Sequence, residues 1–78
     1  MHNLLPLEFV PSGQWAEVEN ISGESIWINR MAELGLRTGS RLRVVRQGCP
    51  CLLQVEGSRL SIRNESTTQI LVRPLAPG

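Results

Sequence analysis

Apolar and polar residues alternate along most of this chain, and the phase of that alternation predicts short strands. In residues 14–21 (QWAEVENI), Ala16 and Val18 fall on one face, with Trp15, Glu17 and Glu19 on the other. Residues 40–46 (SRLRVVR) repeat the pattern. Leu42 and Val44 point one way; Arg41, Arg43 and Val45 point the other. Residues 51–57 (CLLQVEG) and 58–64 (SRLSIRN) read as a hairpin that turns near Gly57-Ser58, with Leu53, Val55, Leu60 and Ile62 inward. Residues 70–75 (ILVRPL) close the sheet through Ile70 and Val72. The opposite phase leaves Val45, Leu52 and Leu71 outward. Left bare together, they would form an apolar docking or self-association face. Near the start, Pro6, Pro11 and Gly13 break the chain into pieces. Residues 7–10 read as a brief strand and residues 11–13 as a turn.

One segment departs from the two-residue rhythm. Over residues 25–34, Ile28, Met31 and Leu34 recur every three residues and Trp27 sits four before Met31, the apolar stripe of one helix. Ser22 and Ser25 both suit its N-cap. Its end is marked more sharply. With Gly35 left-handed just past the helix, Leu36 follows it and Met31 lies one turn back, the spacing of a Schellman ending. Gly39, after Thr38, then permits a second turn at positive φ. Five or six short strands and one helix predict a mainly β fold, a small SH3-like barrel.

The chain has 78 residues, enough for one domain. A domain of this size buries only about 60% of the surface of its unfolded chain. A thin core with short loops follows, and a deep substrate pocket does not. No apolar run approaches the roughly 20 residues of a membrane-crossing helix. The first residues show neither a basic leader nor a small-residue cleavage site, so a cytosolic location is expected.

Net charge is +1 and says little; its distribution says more. Glu8, Glu17, Glu19, Glu24 and Glu33 precede residue 34 against Arg30 alone. Beyond it stand Arg37, Arg41, Arg43, Arg46, Arg59, Arg63 and Arg73 against Glu56 and Glu65. Every basic residue is arginine, whose planar fork suits carboxylates and phosphates. An arginine wall that docks on acidic protein side chains is one reading, and a solvated barrel wall is the other. Nucleic acid is disfavoured, because one Phe and no Tyr leave little to stack on bases.

One local motif carries chemistry of its own. In GCPC (residues 48–51), Cys49 and Cys51 are spaced so that two thiols can face a soft ion such as Fe²⁺ or Zn²⁺. A tetrahedral site needs four ligands, and the lone histidine is His2 at the terminus, so a second copy would have to complete it. The alternative is a pair of free, reduced thiols flanking the start of a strand. An enzyme is not expected: Asp is absent, no Glu/His pair lies close in sequence, and there is no Gly-rich phosphate loop.

Two blocks, RMAELGLRTGSRLRVVRQG and VEGSRLSIRNESTTQILV, resemble the ferrous-iron transport protein A (FeoA) family. That family runs roughly Arg-Leu-x-x-Leu-Gly-Leu-x-x-Gly, an aliphatic strand, Gly-x-x-Leu-x-Ile/Leu-Arg, then Ile-x-Val. Arg30, Leu34, Gly35, Leu36 and Gly39 match the first block, with Met31 for leucine. Gly57, Leu60, Ile62 and Arg63 match the next; Ile70 and Val72 match the last. Thr38 stands where the family often has proline, and Ser66-Thr67-Thr68 where it often has alanine. The resemblance covers about residues 5–74, the expected domain core. It implies an SH3-like domain without required cofactors, cytosolic and held at the inner face of the plasma membrane through its partner. Its partner would be a membrane permease with a cytosolic GTP-binding domain, which it would support in Fe²⁺ uptake without inserting into the bilayer. Candidate partner-binding residues are Arg30, Leu34, Leu36, Arg37, Arg41 and Arg43, with Gly35, Gly39 and Gly57 as turn residues. A homodimer is a further candidate arrangement. The competing functions are a metal sensor or carrier using Cys49 and Cys51, and a regulatory domain of the kind found in metal-dependent repressors.

Overall fold

The computed structural model describes residues 4–63 and 69–75. His2 and the polar link at 64–68, including Ser66, Thr67 and Thr68, lie outside them. Among the described residues, six strands form one antiparallel sheet: β1 (Leu5–Pro6), β2 (Trp15–Ser22), β3 (Arg41–Arg46), β4 (Cys51–Val55), β5 (Ser58–Ile62) and β6 (Gln69–Pro74). Their order is β1-β6-β2-β3-β4-β5. One helix, α1 (Ser25–Glu33), lies in the connection from β2 to β3.

The sheet curls because β2 serves two neighbours and two strands carry an irregularity. Trp15, Ala16 and Glu17 pair with β3, while Ala16 to Ser22 run along β6. The register slips between Val18 and Asn20 on β2, and between Val44 and Arg46 on β3. Such a bulge bends its strand and increases the local twist. The inward residues then close on each other. Ala16, Val18, Leu42, Val44, Leu53, Val55, Ile62, Ile70 and Val72 are all buried, as their alternation predicts. Leu60 is half-buried and packs against them.

Several expectations need correction. Residues 7–10 are not a strand: Leu7–Phe9 is a 3-10 turn, and the Val10 amide donates to the Leu7 carbonyl at 3.0 Å. A strand would send Leu7 and Val10 to opposite faces. The three-residue spacing buries both and leaves Glu8 and Phe9 exposed. Neither serine caps the helix. Ser22 ends β2, Ser25 is already helical, and Glu24 holds the cap position without a side-chain bond. Only Trp27 and Met31 of α1 pack against the core, whereas Leu34 emerges at the C-cap with 48% of its surface exposed. The hairpin turns one residue early, at Glu56-Gly57, with φ of 48° and 82°. Val45, Leu52 and Leu71 are half-buried, so they form no bare apolar face.

Candidate functional site

The end of α1 is built as its glycine predicts. Gly35 has φ +95°; its amide donates to the Ala32 carbonyl at 3.0 Å, and the Leu36 amide donates to the Met31 carbonyl at 2.9 Å. These are the two bonds of a Schellman ending, and they satisfy carbonyls the helix leaves open. Leu36 folds back so completely that it has no exposed surface. That corrects its expected place on a partner surface, since a side chain without accessible area presents nothing. Leu36 anchors the junction from beneath.

Ser40, which the alternation marks only as the first residue of a strand, fastens the turn. Its hydroxyl donates to the Gly35 carbonyl at 2.7 Å and accepts from the Arg37 amide at 3.1 Å. Backbone bonds then tie the turn to β2: the Gly39 amide donates to the Val18 carbonyl, and the Val18 amide donates to the Ser40 carbonyl, both at 2.8 Å. Gly39 has φ +93°. A serine after a turn glycine is the signal that could have found this clamp.

Fixed in this way, the junction presents a small mixed surface. Leu34 is exposed at the tip, Arg30 is exposed in the last helical turn, and Arg37 is exposed on the loop. A cation in a last turn also opposes the negative end of the helix dipole. Arg41 and Arg43 are exposed on the outer side of β3. Arg41 approaches Glu17 at 3.7 Å, and Glu17 also meets Arg73 at 3.4 Å. Arg73 donates to Glu19 at 3.3 Å; that bond, with Glu17 beside it, pushes its pKa up. The expected residues therefore divide into a helix-end group (Arg30, Leu34, Arg37) and a sheet group (Arg41, Arg43).

The two cysteines open on different surroundings. Cys49 is free and exposed beside Arg46, Pro50 and Leu52. Cys51 is free and buried, lining a cleft of about 30 Å³ with Leu7, Trp27, Ile62 and Ile70. Burial pushes its thiol pKa up. Among the described residues, no three His, Cys, Asp or Glu side chains gather in a group that could hold one ion.

Comparison with known proteins agrees with this architecture. Residues 5–74 match the model of the FeoA domain family. A protein of Methanocaldococcus jannaschii named "Putative Fe(2+) transport protein A" is 29% identical over 76 residues, covering 96% of this chain and 93% of that protein. The solution structure of an FeoA protein from Chlorobium tepidum superposes with a TM-score of 0.84 at 31% identity, over 92% of this chain and 71% of that one. A crystal structure of an iron uptake regulatory protein (FeoA) gives 0.83 at 25% identity, over 94% of this chain and all of that one. A FeoA-like protein from Clostridium acetobutylicum, 24% identical, shares the fold with a TM-score of 0.75 over 100% of this chain and 94% of its own.

Proposed function

Because this chain belongs to the FeoA domain family, a family associated with Fe²⁺ transport, we propose that it acts as a non-enzymatic adaptor at the cytosolic face of the membrane. It docks on the GTP-binding domain of an iron permease through the end of α1. The observation that carries this reading is the contrast between Leu34 and Leu36. One helix end is pinned by a buried leucine, two Schellman bonds and the Ser40 clamp, and it still leaves a leucine exposed between two arginines. An apolar anchor held rigidly within a charged rim is what a protein interface uses, because little entropy is lost when it docks. The chemistry of transport and GTP hydrolysis belongs to the partner.

Pull-down with the permease's cytosolic domain tests the reading. Leu34→Asp and the paired change Arg30→Gln with Arg37→Gln leave the core untouched, so both variants are expected to fold. Loss of capture by both supports docking at the helix end. Full capture by either, with native circular dichroism, removes the junction from the interface. Leu36→Asp is unsuitable as a probe, because it places a charge in the core.

A further inference from the structure

The outer face of β3, β4 and β5 gathers positive charge that the sheet does not balance. Directly opposed residues form a row: Trp15 on β2 faces Arg43, Arg43 faces Gln54 on β4, and Gln54 faces Arg59 on β5. A second row sets Arg46 opposite Leu52, and Leu52 opposite Ser61. Strands lie about 4.8 Å apart, so the backbones of Arg43 and Arg59 stand roughly 10 Å apart. Glu17 and Glu19, towards the other flank, are engaged by Arg41 and Arg73. Glu56, at the β4–β5 turn, shares a hollow with Trp15, Arg41 and Gln54 and offsets only one of the three charges of Arg43, Arg46 and Arg59. Arg43, Arg46 and Arg59 are exposed, and none makes an ion pair or side-chain hydrogen bond with a described residue.

We propose that this face rests on an anionic lipid surface, with its arginines on the headgroups and Trp15 at the headgroup level. Two observations choose lipid over other polyanions. First, the three arginines are held by no described residue. A fixed acidic protein would have to freeze three long side chains, whereas fluid headgroups move to meet them. Second, the face carries one aromatic, Trp15, which is 47% exposed at the end of the Arg43 row. Tryptophan favours the membrane–water interface, and a single ring gives no run of platforms for successive bases. The wall would orient the chain flat against the bilayer. Trp15 borders the Gly39–Ser40 turn of the helix end, while Arg43, Arg46 and Arg59 lie beyond it on the sheet, and the inference does not depend on docking at the helix end.

Sedimentation of the whole chain with protein-free vesicles tests it. Phosphatidylcholine alone is compared with phosphatidylcholine mixed with phosphatidylglycerol, at low and high salt. Binding is expected only to the mixed vesicles and only at low salt. Arg43→Gln with Arg59→Gln should weaken it roughly twenty-five-fold, since each basic residue near such a surface contributes about fivefold. Arg30→Gln with Arg37→Gln removes the same charge elsewhere and should weaken it only a few-fold. Trp15→Ala should weaken binding and leave its salt dependence intact. Equal binding to neutral vesicles overturns the proposal, as does an unchanged Arg43/Arg59 variant. So does a wild-type chain that ignores anionic vesicles and captures polyglutamate or RNA at the same salt. With no permease in the vesicles, none of these results bears on the docking reading.

Discussion

The Ser40 hydroxyl donates to the Gly35 carbonyl across 2.7 Å, and that bond closes the reversal between α1 and β3. The Ser40 side chain is buried and the bond part-buried, so water can replace it only in part when it is lost. The helix end, and whatever it meets, is positioned by this contact together with the left-handed Gly35.

Replacing either residue should therefore weaken the fold measurably. For Gly35→Ala, the added methyl would meet Glu56 Oε2 at 3.5 Å and Val55 Cγ1 at 3.8 Å, which is ordinary contact. The cost is conformational, about 1–2 kcal/mol for a side chain at positive φ. Ser40→Ala strands a carbonyl and an amide and should cost about 1–3 kcal/mol. Urea unfolding reads both. Losses below about 0.5 kcal/mol would mean that the turn is held by something else.

The hairpin tip offers a change in the other direction. Glu56 is the one non-glycine among the described residues at positive φ, and Gly57 follows it at +82°. Asn-Gly is the favoured pair for such a turn. Glu56→Asn should raise stability by about 0.5–1 kcal/mol, seen as a higher Tm. A lower Tm would show that the Glu56 carboxylate contributes more than its backbone strain costs.

Much of this was legible from periodicity alone. In β4, and in β2 and β3 as far as their bulges, inward residues alternate with more exposed ones, because one face meets the core and the other lies towards water. Gly35 marked its turn because an L side chain is strained there. Features set by three-dimensional closure stayed hidden. The Schellman spacing already turned Leu36 back towards Met31, but the completeness of its burial, which removes it from any partner surface, shows only in the closed fold. The 3-10 turn at Leu7–Phe9 hid because four residues cannot separate a two- from a three-residue period. The separate surroundings of Cys49 and Cys51 depend on which way β4 enters the sheet.

That difference predicts unequal thiol reactivity and a pH effect. Cys49 should react at once with an aromatic disulfide reagent, and Cys51 only as the protein opens. Burial raises the folded Cys51 pKa above its ordinary 9.0. The unfolded chain therefore ionises first as pH rises. Stability is intact below pH 9.0 and falls as pH climbs from there towards the folded pKa. Cys51→Ala should flatten that fall. Two thiols reacting at the same rate would contradict the buried placement.

The same placement bears on metal. Cys49→Ser and Cys51→Ser should leave uptake of Fe²⁺ and Zn²⁺ in equilibrium dialysis unchanged. Stoichiometric uptake that either change abolishes would favour the sensor or carrier reading instead, with ligands shared between copies.

The central claim is that a rigid helix end meets the permease through Leu34. Calorimetric titration of the permease's cytosolic domain with wild type and Leu34→Ala tests it directly. Truncating a central apolar anchor should weaken binding at least about tenfold while the Tm stays unchanged. Equal affinity for the two proteins would contradict the account.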